Sequence, residues 1–236
     1  MSVQGPLART ALDARLGLAA MTGLDARDPW CTSAPLEGPP PSRPIRVAMC
    51  IDPFGNGVHP SVAEAVKSAA RWLSDAGYAV EEIQLPRMAE AADLWMLLVM
   101  NDMRRSLLPA VTRYGDDAAR TVMADMLHYA PVADLSSYLE GLERRNLLRR
   151  EWLVFLEQYP LVLIPVSMEP PFRQRLDLEG TETMGSIIKA QAPLLSLAVL
   201  GLPALSVPTS IGSGPPLGIQ LVATRFREDL CSTQPR

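Results

Sequence analysis

Between residues 197 and 229 the chain reads LAVLGLPALSVPTSIGSGPPLGIQLVATRFRED, and the continuous apolar runs between Gly and Pro breakers there restrict the fold more than any other stretch. A turn at Gly201, Leu202 and Pro203 separates the end of an apolar helix from a short strand over 204–207, and a Gly/Pro loop leads to a second strand over 217–223. Runs of this length without polar alternation suit strands buried on both faces, as in a sheet covered by helices. The expected class is α/β.

The rest of the chain fits that class. Thr10 followed by Asp13 gives a capping-box-like start to a helix with an apolar stripe of Leu12, Leu16, Ala19 and Ala20, which Gly23 closes. Repeated prolines make 28–44 an extended connector inside the domain. A strand over 45–51, a helix opening at Pro60 with Val62, Ala65, Val66, Ala69, Trp72 and Leu73 on one face, and a strand over 78–83 after Gly77 form a β-α-β unit. Residues 87–158 are mostly helical, with a buried segment over 94–100, a helix over 116–129 and a long one over 134–158 capped by Asp134. A short strand over 161–164 precedes a loop over 165–175 that Pro165, Pro170 and Pro171 keep irregular, and a helix spans 183–200.

Several function classes are disfavoured at this level. The 236 residues, 48% hydrophobic and 20% charged, suit one large globular domain. A net charge of -4 does not suit a surface that neutralises phosphates, so nucleic acid is not an expected partner. Cys31, Cys50 and Cys231 are odd in number and widely spaced, as expected of reduced thiols. Arg9, Asp13 and Arg15 interrupt the N-terminal apolar residues, and the longest apolar runs, 94–100 and 192–205, fall short of the roughly 18 residues that span a bilayer. No membrane association and a cytoplasmic location are the expectations.

The segments GLPALSVPT at 201–209, PLGIQLV at 216–222 and FRED at 226–229 together resemble the C-terminal block of amidase signature enzymes, serine hydrolases of amides. GPLART at 5–10 is similar to that family's Gly-Pro-Met/Leu-Ala-Arg-Ser/Thr helix start, and LIPV at 163–166 sits where the family has Leu-Leu-Thr-Pro-Thr. The resemblance implies a mixed sheet covered by helices on both faces, a small-molecule amide substrate, no cofactor and, as is common in the family, a homodimer. It also implies that the loop after the 161–164 strand walls the acyl pocket, making Ser167, Met168, Glu169 and Phe172 candidate substrate-binding residues. Read without the resemblance, that segment is equally a surface loop with Phe172 packed inward.

Amide hydrolysis by a serine enzyme needs a nucleophile, a base and donors for the oxyanion. In the family these come from a Ser-cisSer-Lys triad, whose lysine and Gly/Ser-rich loop precede the Gly-Pro-Met-Ala-Arg helix. Here that helix starts at residue 5, Lys67 and Lys189 are the only lysines, and no Gly-Gly-Ser segment occurs. No catalytic residue is therefore assigned. The expectation is a single, truncated amidase signature domain over 1–236 that is inactive alone, the alternative being a binding module or a subunit completed by a separately encoded N-terminal part.

Other constellations are weaker. Ser186-Ile187-Ile188-Lys189 has Ser-x-x-Lys spacing but lacks the companion motifs of acyl enzymes that use it. His59 and His128, the only histidines, sit at helix ends without a Gly-x-Ser-x-Gly elbow, and no cluster has metal-ligand spacing. The Gly-x-Gly of loop 52–57 reads as a turn. Arg144, Arg145, Arg149 and Arg150, interleaved with Glu140, Glu143 and Glu151, read as a solvated helix face.

Overall fold

Strand β1 (Arg46–Met49), helix α2 (Pro60–Asp75) and strand β2 (Ala79–Glu82) form the predicted β-α-β unit in a computed structural model that describes residues 4–209 and 216–232. Pro60 occupies the first helical turn, where a missing N–H costs no hydrogen bond, and Gly77 supplies the positive φ (85°) that turns the chain into β2. Helices α3 (Met88–Ser106), α4 (Leu108–Tyr114), α5 (Asp117–His128) and α6 (Leu135–Gln158) then carry the chain across to β3 (Leu161–Pro165), parallel to β1 on its other side. Asp116 and Asp134 cap α5 and α6 by accepting from the N–H groups of Ala119 and Ser137, each at 2.8 Å.

Helices α7 (Thr181–Ala190) and α8 (Ala192–Leu200) lead to β4 (Ala204–Pro208) and β5 (Gly218–Ala223), with a short α9 (Glu228–Ser232) after them. β5 pairs antiparallel with both β3 and β4, which gives a mixed sheet of order β2-β1-β3-β5-β4. Side chains alternate across it with period two. Ala48, Val162, Ile164 and Val222 pack with Leu98, Trp152 and Leu200 of α3, α6 and α8. Val47, Leu161, Leu163 and Ile219 pack on the other side with Val66 and Ala69 of α2 and Leu230 of α9. Both faces of the central strands are thus covered, and β3 is buried along its whole length.

Three local readings change. The helix expected over 183–200 is two helices meeting at a 60° bend, because Pro193 lacks the N–H that a continuous ladder would need there. In α1 (Ala11–Met21) the Thr10 cap forms, with Asp13 N–H at 3.1 Å from Thr10 Oγ1, yet Leu12 and Leu16 of its stripe are 64% and 61% exposed. Edge strand β4 likewise turns Leu205 and Val207 inward and leaves Ala204, Ser206 and Pro208 open. Among the described residues no single helix is long and apolar enough to cross a membrane.

Candidate functional site

The sheet's strand order reverses between β1 and β3, and loops leaving the carboxyl ends of those strands diverge there, the usual position of a ligand crevice in an α/β sheet. A cleft of about 710 Å³ opens at this point. Loop 52–57 forms one wall, loop 166–175 another, and α3 and α7 close the sides.

The first loop is held from within. The Asp52 carboxylate accepts from the N–H groups of Phe54, Gly55 and Gly57 at 3.3, 2.9 and 2.7 Å. Amides that would otherwise receive an anion are occupied by this side chain, so the Gly-x-Gly segment is a turn, as the sequence suggests. The second loop is held at Met168, whose N–H donates to the Ala190 carbonyl at 2.8 Å and whose carbonyl accepts from His59 N–H at 2.9 Å.

Of the four residues named from the sequence, Met168, Glu169 and Phe172 line the cleft. Met168 is buried, Phe172 half-buried and Glu169 exposed at the rim. Ser167 is not among the lining residues; its Oγ accepts from Glu169 N–H at 3.3 Å and shapes the turn behind the wall. The apolar lining includes Phe54, Met96 and Ile188, and polar groups come from Asn56, Asp93, Ser186 and Lys189. Burial, reinforced by nearby Glu90, holds the Asp93 carboxyl above its ordinary range.

Sequence reasoning missed Asp93 and Met96, which reach the cleft only because α3 packs alongside it. Phe54 carried a signal, since it lies in the loop leaving β1 of the β-α-β unit. Ser186 and Lys189 both face the cleft, but Ser186 Oγ donates to the carbonyl of Glu182 within its own helix at 3.2 Å. His59 caps α2, its Nδ1 2.8 Å from Ser61 Oγ, and His128 packs edge-on against Tyr129. Neither histidine lines the cleft. Among the described residues no group of three or more His, Cys, Asp or Glu side chains is placed to hold a metal ion.

The arginine row of α6 is only partly the solvated face expected. Arg144 is ion-paired with Glu90, and Arg87 reaches Glu151 at 3.1 Å, whereas Arg145 and Arg149 turn inward and are half-buried. A smaller cavity of about 230 Å³ lies on the opposite face of the sheet, between Trp72, Leu161 and Leu221, and no acidic or basic side chain lines it. It is a gap in the apolar packing.

Comparison with known proteins extends over the same residues. The family model described as Amidase matches residues 1–231. An indoleacetamide hydrolase of Bradyrhizobium japonicum is 36% identical over 231 residues, covering 98% of this chain and 50% of the relative. A glutamyl-tRNA(Gln) amidotransferase subunit of Azotobacter vinelandii is 25% identical, covering 95% of this chain and 52% of the relative. Among solved structures, a bacterial aryl acylamidase of the amidase signature family shares the fold with a TM-score of 0.75 at 17% identity, covering 98% of this chain and 51% of that one. The chain spans about half the length of the curated relatives it matches.

Proposed function

The chain belongs to the amidase family, and on that footing we propose that it is the acyl-pocket side of an enzyme hydrolysing carboxylic amides to an acid and ammonia or an amine. The observation that carries this reading is the common cleft of Phe54, Met168, Glu169 and Phe172 at the β1/β3 reversal. Its aromatic and thioether wall suits a flat apolar acyl group, and its polar rim suits the amide end. The similarity to an indoleacetamide hydrolase favours an aromatic acid moiety.

Residues 1–236 contain no counterpart of the family's lysine and Gly/Ser-rich loop, and the Ser186 hydroxyl is bonded to its own helix. The chain alone therefore does not turn over amides, and domain 1–236 is a partial amidase signature domain acting with a catalytic segment. That such a segment packs against this chain is supported by the uncovered stripe of α1 and the open face of β4. A homodimeric assembly and a cytoplasmic location accord with the family and with unpaired thiols.

The test is to assay the purified chain on indole-3-acetamide, an anilide and a short aliphatic amide, alone and co-expressed with the N-terminal half of a relative. Activity restricted to the pair supports the proposal. Turnover by the chain alone that disappears in Ser186→Ala overturns it.

A further inference from the structure

Three arginines converge at the end of the sheet opposite the cleft. Arg145 and Arg149 stand four residues apart on α6, a spacing that places both on one helix face. That face meets the end of α8: Arg145 Nε donates to the Val199 carbonyl at 2.5 Å, and its Nη2 lies 3.6 Å from where a Cβ on Gly201 would stand. β5 delivers Arg225 to the same end, because Ala223 N–H donates to the carbonyl of Pro203, just past Gly201, at 3.1 Å. The Arg225 guanidinium rests over the Phe226 ring, 4.9 Å from its centroid.

The charges of this group are not balanced from within. None of the ion pairs among the described residues includes Arg145, Arg149 or Arg225. Arg145 is partly accounted for by Val199 and by the negative end of the α8 dipole. Arg149 is not: its Nε is buried without a hydrogen-bond partner among the described residues. An unmade bond from a buried charged donor is costly, and nearby like charges add to the cost. Burial, and repulsion from Arg225, depress the affinity of both α6 guanidinium groups for their protons.

We propose that Arg145, Arg149 and Arg225 form an oxyanion-binding site that takes a phosphate- or carboxylate-type group. Guanidinium forks match two oxygens of such a group, and one anion offsets the repulsion that the cluster otherwise carries. The site is separate from the acyl pocket, since it lies at the amino ends of the parallel strands and the cleft lies at their carboxyl ends. The oxyanion comes either from a free ion or from an acidic side chain of the segment that completes the domain.

The test titrates the full 236-residue chain with inorganic phosphate, following heat and thermal melting, against sodium chloride at matched ionic strength. Saturable binding with a melting shift that chloride does not reproduce is expected, weakened by about tenfold in Arg149→Gln and in the exposed Arg225→Gln. Arg150→Gln, an exposed position of the same helix, leaves it unchanged. Equal shifts with phosphate and chloride, or binding unaltered in both variants, overturn the proposal. Repeating the titration with the N-terminal half of a relative separates the sources. Retained phosphate binding identifies a free ion, and binding lost to an association that Arg149→Gln weakens identifies a protein carboxylate.

Discussion

The N–H of Met168 donates to the carbonyl of Ala190 at 2.8 Å, while the Met168 carbonyl accepts from His59 N–H, so one residue clamps the cleft wall between the end of α7 and the start of α2. The clamp is made by the main chain and survives a change of side chain. Met168→Ala therefore separates packing from tethering. Met168 is 6% exposed, and removal of its side chain beyond Cβ is expected to cost about 2 kcal/mol or more through the cavity left behind. Urea unfolding measures this, and an unchanged midpoint would show that the side chain is not packed in the wall.

Tyr129 and Gly185 test how α5 is fastened to α7. Tyr129 Oη donates to the Thr181 carbonyl at 2.8 Å, and a Cβ on Gly185 would overlap that hydroxyl oxygen. Gly185→Ala should push the ring aside and break this hydrogen bond, at a cost of about 1–2 kcal/mol. The same substitution in a Tyr129→Leu background should cost clearly less. Equal costs in the two backgrounds would remove the contact from the explanation.

Acid stability should depend on Glu90. Hydrogen bonding to Arg144 holds its carboxyl below the ordinary range, with Arg87 adding to the effect. A depressed folded-state pKa stabilises the fold fully above the unfolded value, about 4.3, and the contribution is lost as pH falls through the folded value. Asp93 acts with opposite sign, since its carboxyl is raised and protonation relieves it. Glu90→Gln should accordingly flatten the fall in melting temperature below about pH 4.5, most clearly at low salt. An acid limb identical to that of the parent chain would contradict the assignment.

The strands were legible because each apolar run is bounded by Gly, Pro or a polar turn, and the caps Thr10 and Asp134 because capping is local chemistry, whereas Asp116, read as the first residue of its helix, proves to be the cap of α5. The break between α7 and α8 had its signal in Pro193, masked by the predominantly apolar residues on both sides of it. What covers a stripe is not local, so Leu12 and Leu16 could be placed on a helix face but not against a neighbour. The cleft was half legible. Loop 166–175 followed from its place after a strand and from the resemblance, whereas Asp93 and Met96 depended on how α3 packs. Mixed charges along α6 suggested one solvated face, but with 3.6 residues per turn Arg145 and Arg149 share a face that Arg144 does not.

Thiol reactivity offers a final check on which surfaces are closed. Cys50, at the end of β1, is 3% exposed, and burial pushes its thiol up to about 11. Cys231 in α9 is 7% exposed, its Sγ donates to the Leu221 carbonyl at 3.4 Å, and burial pushes its thiol up to about 12. Cys31 lies half-exposed in the proline-rich connector. The thiolate is the reacting species, so at pH 8 a thiol with a pKa near 11 presents it in roughly one molecule in a thousand. A maleimide should label Cys31 rapidly and the other two only in denaturant, with peptide mass spectrometry locating the adducts. Rapid labelling of Cys231 would mean that α9 opens in the native state, and with it the apolar face where Leu230 packs against β4 and β5.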